Sequence, residues 1–221
     1  MRAGGPDGHI GYPSRQDFAQ EKKAYWNAVC ISISYESNSW SSEIDPRAAR
    51  SSREAADRGR PPWRARAGGD IIGRMRKALA ADVAAVKRLV HDAYLPWVEI
   101  TGMRPLPMEA DYDALVAEGH VHVRDGRDGI EGLIVLIPED GVLLVDNVAV
   151  RPGLHGRGIG RSLLAFAEEE ARRRGLPALR LYTNVKMVSN IALYESLGYV
   201  KTGREVLDGR SAVQMRKKLT N

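Results

Sequence analysis

Three glycines and two arginines alternate along one segment of the chain in a pattern that could bind phosphate. Gly156, Gly158 and Gly160 lie between a predicted strand and a predicted helix, interleaved with Arg157 and Arg161. The first amides of a helix have no partner within the helix and lie at the positive end of its dipole. Glycines there allow phosphate oxygens to approach the backbone. The segment therefore predicts a pyrophosphate-binding loop, with a plain glycine-rich turn as the alternative.

Two common phosphate-binding loops do not match this segment. A Walker A loop has lysine and then serine or threonine where this chain has Ile159 and Gly160, so the phosphate lysine and the magnesium-binding hydroxyl are both missing. A dinucleotide-binding loop needs glycine or alanine at its sixth position. That position is Arg161 or Leu163 here, depending on which glycine begins the count. Neither loop type is predicted.

The glycine-rich loop must be positioned by the strand before it and the helix after it. Apolar periodicity predicts a strand at 142–150, a helix from the loop to about residue 174 and a strand at 178–183. This unit implies a parallel strand pair with a right-handed crossover, whereas the predicted hairpins imply antiparallel pairs. The other predicted elements are strands at 71–79, 120–124, 131–137, 199–206 and 211–218, and helices at 82–94, 111–118 and 188–197.

These elements predict an α/β fold. The sheet should be mixed and mostly antiparallel, with one parallel strand–helix–strand unit and with helices on both faces. Asp82 is a plausible acid in the first turn of the first helix, and the stretch that begins at Pro96 is predicted to follow that helix. PEDG at 138–141 and the Asp208–Gly209 pair are predicted turns.

Residues 1–70 differ in character from the rest of the chain. They are rich in Gly, Pro, Ser and Arg and have almost no apolar periodicity, which predicts a poorly structured extension before a domain at 71–221. Seven arginines against two acidic residues at 47–66 leave open a basic arm for nucleic acid. A reading frame that begins at Met75 is a third interpretation.

The composition of the chain limits which partners, cysteine-based sites and cellular locations we expect. The formal net charge of +5 over 221 residues is too low to indicate a nucleic-acid partner by itself. A single cysteine, Cys30, excludes an intrachain disulfide framework and a cysteine-rich zinc site, and it fits a reducing cytoplasm. The sequence has no apolar run long enough for a transmembrane helix, and the first residues lack the apolar region of a secretory signal. We therefore expect a cytoplasmic protein.

Four motifs resemble the GNAT family of N-acetyltransferases. His155 to Gly160 is similar to the acyl-CoA pyrophosphate loop [Q/R]xxGx[G/A], with histidine where the family usually has glutamine or arginine. Upstream, Val148-Ala149-Val150-Arg151-Pro152 resembles the strand end that precedes this loop. Downstream, the run from Asn190 to Tyr199 resembles the motif N-x-x-A/L-x-x-Y-x-x-x-G-F/Y, and the run from Arg76 to Asp82 resembles the opening strand and helix. The resemblance covers residues 71–219.

The resemblance implies an enzyme that uses acetyl-CoA as co-substrate and needs no metal. It implies direct attack of a primary amine on the thioester, with strand backbone groups pairing with the pantetheine arm. A small-molecule or amino-acid acceptor is favoured over a protein N-terminus, and relatives often form homodimers. The residues that it assigns to acetyl-CoA are Val148, Ala149, Val150, His155, Gly156, Arg157, Gly158, Ile159, Gly160, Arg161 and Asn190. A non-catalytic acyl-CoA sensor is the alternative function.

The resemblance also suggests catalytic residues. Tyr194 corresponds to the tyrosine that protonates the CoA thiolate, one helical turn after Asn190. Asp146 precedes Val148 by two residues, so strand alternation predicts that both lie on one face, where Asp146 could accept the proton of the amine. Glu109 and Asp111 are rival bases, and a neutral amine could react without any base.

Two histidines form a weak metal candidate. His120 and His122 are two residues apart on a predicted strand and would therefore share one face. Two ligands without a neighbouring cysteine or acid make a poor site. We therefore predict no metal and expect ordinary exposed or hydrogen-bonded histidines.

Overall fold

The computed structural model describes residues 74–207 and 210–220. The predicted 1–70 extension and the Asp208–Gly209 turn lie outside these residues. The strands are β1 (Met75–Lys77), β2 (Val121–Gly126), β3 (Gly129–Glu139), β4 (Val142–Val150), β5 (Ala178–Asn184), β6 (Val200–Leu207) and β7 (Arg210–Lys218). The α-helices are α1 (Val83–Thr101), α2 (Tyr112–Ala117), α3 (Ile159–Arg173) and α4 (Val188–Ser196), and short 3-10 turns cover Ala80–Asp82 and Leu106–Met108.

The strands form one seven-stranded sheet in the order β1-β2-β3-β4-β5-β7-β6. The pair β4–β5 is parallel, and the other five pairs are antiparallel. The crossover between β4 and β5 is made by α3, since parallel neighbours cannot be joined by a tight turn. The predicted mixed, mostly antiparallel sheet with one strand–helix–strand unit is confirmed.

The parallel pair β4–β5 is short. Only Leu143–Val145 of β4 pair with Leu179–Leu181 of β5, whereas β4 continues to pair with β3 as far as Val150. Beyond residue 181, β5 stays paired with β7 up to Asn184. The second half of β4 therefore has an edge that no strand covers among the described residues.

Helices cover both faces of the sheet, as predicted. The α3-side cluster contains Ile134, Val148 and Val150 of the sheet together with Leu163 of α3 and Tyr194 of α4. The α1-side cluster forms on the opposite face. It contains Leu133, Val135 and Ala149 of the sheet, with Val86, Leu89, Tyr94 and Trp97 of α1 and Tyr112 of α2. The β4 strand thus contributes side chains to both cores.

The first helix is longer than predicted. It runs through Pro96 and ends at Gly102, whose left-handed conformation (φ 74°) closes the last turn. An interior proline costs about 3 kcal/mol because it removes one helical hydrogen bond. The buried rings of Tyr94 and Trp97 lie on either side of it, and burial of each such side chain contributes about 1.5–3 kcal/mol. Tertiary packing therefore overrides the break predicted at Pro96.

Among the described residues the first strand covers Met75–Lys77 and so ends two residues earlier than predicted. Arg76 on this strand forms an ion pair with Asp82 at 2.6 Å and with Asp125 of β2 at 2.6 Å. The hydrogen bond from Arg76 holds the pKa of Asp82 below its usual value. Asp82 also accepts from the backbone N–H of Leu79 at 2.7 Å. These contacts attach the start of α1 to the edge of the sheet.

Candidate active site

The glycine-rich loop joins β4 to α3 as predicted. Gly153, Gly156 and Gly158 all adopt positive φ, at 81°, 74° and 79°. Gly158 is the N-cap of α3. Within the described ranges, no backbone carbonyl accepts a hydrogen bond from the N–H groups of residues 156–161. The loop therefore presents a row of backbone donors at the positive end of a fifteen-residue helix.

The space in front of these donors is open. A Cβ atom placed on Gly156 or Gly158 would meet no heavy atom within 4 Å. The side chains of Arg157 and Arg161 are exposed beside them. Backbone donors, free volume and two positive charges suit a pyrophosphate, so these residues fit the phosphate end of coenzyme A.

A buried hydrogen bond fixes the first turn of α3 to the sheet. Arg124 of β2 donates to Oγ of Ser162 at 2.7 Å, and that hydroxyl donates to the carbonyl of Ile159, also at 2.7 Å. Arg124 also forms an ion pair with Glu131 of β3 at 3.2 Å. The orientation of the loop amides therefore depends on the sheet as well as on the loop.

The uncovered edge of β4 presents backbone groups next to this loop. The N–H of Arg151 donates to Glu131 of β3 at 2.8 Å. Because backbone groups of alternate residues face the same neighbour in an antiparallel pair, those of Ala149 also face β3, and those of Val148 and Val150 face away from it. An extended amide chain could pair with this edge as an added strand.

Asn190 and Tyr194 occupy the buried face of α4. Both side chains are fully buried, one helical turn apart. Asn190 donates from Nδ2 to the sulfur of Met187 at 3.6 Å. The ring of Tyr194 meets that of Tyr199 edge-on, with 5.8 Å between centroids. Tyr194 belongs to the same α3-side cluster as Val148 and Val150, so the fold brings it to the core beneath the uncovered strand edge.

The strand alternation that predicts Asp146 on the face of Val148 does not hold at this point of β4. A β-bulge interrupts the alternation, because Leu136 of β3 pairs with Val145 and Val135 pairs with Asn147, so that Asp146 is the extra residue. The negative charge of Asp146 acts on Tyr112, which lies on the α1 side of the sheet. Val148 packs in the α3-side cluster instead. The charge of Asp146 thus acts on the cluster opposite the one that holds Tyr194.

Three polar residues that the sequence reasoning did not assign to the site meet beside Asp146. The hydroxyl of Tyr94 donates to Oδ1 of Asn147 at 2.5 Å, and Nδ2 of Asn147 donates to the hydroxyl of Tyr112 at 2.8 Å. Burial raises the pKa of Tyr112, and the charge of Asp146 raises it further. The signal in the sequence was an asparagine within the apolar strand VLLVDNVAV, since a buried amide requires partners.

The rival bases and the histidines are placed differently. Asp111 is the N-cap of α2 and accepts from the N–H groups of Asp113 and Ala114, and Glu109 is exposed. His120 precedes β2, whereas His122 is buried within it against Phe166, with ring centroids 5.1 Å apart. No group of three or more potential metal ligands occurs among the described residues.

The remaining site residue, His155, lies in the loop before Gly156 and is partly exposed. Within the described ranges, no helix is both long enough and apolar enough to cross a membrane.

Comparison with known proteins identifies a family for the central part of the chain. Residues 115–201 match the family model described as the acetyltransferase (GNAT) domain. This match covers β2 to α4 and so includes the glycine-rich loop and Tyr194.

Curated relatives match parts of the chain. An IAA acetyltransferase of Azospirillum brasilense is 42% identical over 72 residues, which are 33% of this chain and 47% of that protein. The [ribosomal protein bS18]-alanine N-acetyltransferase of Escherichia coli K12 is 42% identical over 53 residues, which are 24% of this chain and 36% of that protein. This chain therefore matches less than half the length of either relative.

A solved structure supports the fold. The PaiA N-acetyltransferase of Thermoplasma acidophilum, solved in complex with coenzyme A, superimposes with a TM-score of 0.54 at 15% identity. The superposition covers 66% of this chain and 98% of that chain. At this identity the likeness concerns the fold of the domain and not its ligand.

Proposed function

We propose that this chain, whose residues 115–201 match the GNAT acetyltransferase domain, is an acetyl-CoA-dependent N-acetyltransferase with a primary amine as acceptor. The observation that carries the proposal is the adjacency of two backbone sites. The loop amides of residues 156–161 follow directly after the β4 edge that β5 leaves uncovered. A pyrophosphate at the loop would let an amide-containing arm run along that edge.

The uncovered edge of β4 is also suited to stabilise the transition state. The backbone groups of Val148 and Val150 face away from β3, so an N–H on this edge can donate to the oxyanion that forms when the thioester carbonyl is attacked. Backbone donors fixed in a strand need no reorganisation as that charge develops. The side chains of Val148 and Val150 pack in the α3-side cluster and hold the strand in the core.

Acid and base are available on different sides of that edge. Tyr194, in the α3-side cluster, would donate its phenolic proton to the thiolate sulfur as the C–S bond breaks. Asp146, on the α1 side, would accept a proton from the ammonium form of the acceptor, directly or through water. The nitrogen then forms the new bond to the acetyl carbon, and the products are an N-acetyl amine and the free thiol of CoA.

The acceptor that we favour is a small amine or an amino acid. The family includes enzymes named for a protein N-terminal alanine as well as for small molecules. Ribosomal-protein N-terminal acetyltransferases, which the segment around Tyr194 resembles, carry an acidic residue near the strand position that Tyr182 occupies in this chain. The hydroxyl of Tyr182 accepts a hydrogen bond from Gln214 at 2.9 Å. A tyrosine bound in this way offers no negative charge to a peptide N-terminus. A cytoplasmic location and a homodimer accompany this proposal as predictions.

A transfer assay tests the proposal. Full-length protein is mixed with acetyl-CoA and a panel of amino acids, aliphatic amines, aminoglycosides and alanine-initiated peptides, and the release of CoA thiol is followed. We expect release that depends on one class of small amine, with an added acetyl group detected on that amine by mass spectrometry. Binding of acetyl-CoA without amine-dependent release over the whole panel would favour the sensor alternative and contradict the proposal.

A further inference from the structure

Three buried polar side chains from three elements meet at the uncovered half of β4. Tyr94 of α1, Asn147 of β4 and Tyr112 of α2 are exposed by 0%, 1% and 3%, respectively. The three side chains meet on the α1 side of β4, a strand whose other residues are almost all apolar. Groups of this kind are costly to bury unless they are hydrogen-bonded. A set of three at one point in the core is therefore a specific feature of this chain that needs an explanation.

Asn147 lies at the centre of this set. It accepts from Tyr94 at 2.5 Å and donates to Tyr112 at 2.8 Å, so its amide joins two helices to one strand. Loss of the amide would leave two phenolic groups without this partner, with the desolvation cost of each uncompensated. The amide therefore fixes where α1 and α2 lie relative to this part of β4.

The set also contacts the backbone of the uncovered edge. The hydroxyl of Tyr94 lies 3.4 Å from the carbonyl oxygen of Val148, and this carbonyl faces away from β3. Asn147 is the residue between Val148 and the bulged residue Asp146. The same three side chains therefore border both the backbone group proposed to pair with substrate and the candidate base.

We infer that Tyr94 and Asn147 are positioning residues, which hold the Val148 peptide of β4 in the direction required to pair with the pantetheine arm of acetyl-CoA. The inference rests on the proposed function, since acetyl-CoA supplies the amide chain that pairs there. Among the described residues, the second half of β4 has no partner strand on the β5 side. A strand with one bare edge and a bulge would otherwise be free to change its twist. The hydrogen bonds from α1 and α2 replace the restraint that β5 gives to the first half.

The test compares three variants of the full-length protein. Tyr94→Phe removes one hydroxyl with almost no change of volume, and Asn147→Leu removes the amide from the centre of the set. Thr202→Val is the matched control, because it also removes a hydroxyl bonded to an amide side chain, Gln214 at 3.0 Å, on β6, which β5 and β7 separate from β4. Acetyl-CoA affinity is measured by calorimetry, and hydrogen exchange of residues 146–150 is measured by mass spectrometry without ligand.

A positioning role predicts a specific pattern. Tyr94→Phe and Asn147→Leu should raise the Kd of acetyl-CoA by about threefold to tenfold, the range that follows from one hydrogen bond. Both should speed exchange at residues 146–150 and raise KM for acetyl-CoA while KM for the amine stays constant. Thr202→Val should change neither the exchange of that segment nor the affinity for acetyl-CoA.

Two results would overturn the inference. One is an unchanged Kd in Tyr94→Phe at a temperature where the variant is fully folded, even if its Tm is lower. The other is an equal loss of affinity in Thr202→Val. If Asn147→Leu fails to fold, Tyr94→Phe still decides. A wild-type protein that binds no acetyl-CoA would overturn the proposed function. In that case, faster hydrogen exchange of residues 146–150 in Tyr94→Phe would still show that the network orders the strand, and unchanged exchange would show that it does not.

Discussion

Arg124 on β2 and Ser162 in the first turn of α3 are joined by a hydrogen bond of 2.7 Å. This bond attaches the first turn of α3, and with it the glycine-rich loop, to the second strand from one edge of the sheet, and Ser162 is buried where it forms. We predict that Ser162→Ala lowers the free energy of unfolding by about 1 kcal/mol, as expected for one buried hydrogen bond, and raises the Kd of acetyl-CoA.

The measurement is urea unfolding combined with calorimetry. Ser196→Ala is the control, since its hydroxyl makes the same bond to a carbonyl three residues earlier, at 2.7 Å, on the exposed surface of α4. Equal effects of the two substitutions on stability and affinity would show that the contact with Arg124 contributes nothing.

Tyr194→Phe tests the proposed acid. The substitution retains the buried ring and its edge contact with Tyr199, so the fold should persist. We expect kcat to fall about 100-fold, because positioned proton transfer contributes at least that much, while the Kd of acetyl-CoA changes little. Single-turnover and steady-state rates check this, with Tyr199→Phe as a control from the same buried cluster. A kcat within twofold of wild type would exclude Tyr194 as the acid.

Asp146→Asn tests the proposed base. We expect kcat/KM for the amine to fall about tenfold to 100-fold near neutral pH, where most of the acceptor is protonated and must lose a proton. The deficit should shrink as the pH approaches the pKa of the acceptor, because neutral amine needs no base. The control is Asp140→Asn in the exposed β3–β4 hairpin. A deficit of constant size at every pH would contradict a role in proton removal.

The buried His122 predicts a loss of stability in acid. Burial lowers its pKa to about 4, so below its ordinary value of about 6.5 the unfolded chain takes up a proton that the folded chain does not. The neutral, buried His122 therefore lowers the free energy of unfolding only in acid. The free energy of unfolding is unaffected above pH 6.5 and falls by up to about 3 kcal/mol as the pH decreases towards 4. Denaturant unfolding of wild type and His122→Gln between pH 4 and 7 checks this. Parallel pH curves for the two proteins would contradict it.

Local patterns in the sequence were sufficient to predict the positions of the glycine-rich loop and of the elements around it. The glycine-rich loop falls at the predicted strand-to-helix junction, and β4 has the predicted bounds of residues 142–150. Helix α4, at Val188–Ser196, lies within one residue of its prediction. These elements have strong periodicity and clear glycine boundaries, so tertiary contacts had little to add.

Two features could not be derived from local patterns. The length of α1 depends on the burial of Trp97 and Tyr94 around Pro96, and only the packed structure shows that this burial outweighs the proline. The bulge at Asp146 is a matter of register between β3 and β4, and a single strand carries no information on the register of its neighbour. The same bulge interrupts the alternation on which the predicted face of Asp146 rests.

The partners of Asn147 were also beyond the sequence. Tyr94 and Tyr112 are separated from it by 53 and 35 residues along the chain, and only the packing of α1 and α2 on β4 brings the three together. The composition of the strand indicates that this amide requires partners, but it does not say which residues they are.

The central claim is that the amides of the glycine-rich loop bind the pyrophosphate of acetyl-CoA, and calorimetry of Gly158→Asp tests it most directly. Gly158 has a φ of 79°, and a Cβ there meets no heavy atom within 4 Å, so aspartate adds charge and backbone strain without a clash. Gly141→Asp is the matched control, with a φ of 67° and equally open space in the hairpin before β4. Gly158→Ala measures the effect of the backbone strain alone.

We predict that wild type and Gly141→Asp bind acetyl-CoA with micromolar affinity, that Gly158→Ala binds it several-fold more weakly, and that Gly158→Asp shows no measurable binding. Equal affinity of Gly158→Asp and Gly141→Asp for acetyl-CoA, or no binding by the wild-type protein, would contradict the assignment of this loop.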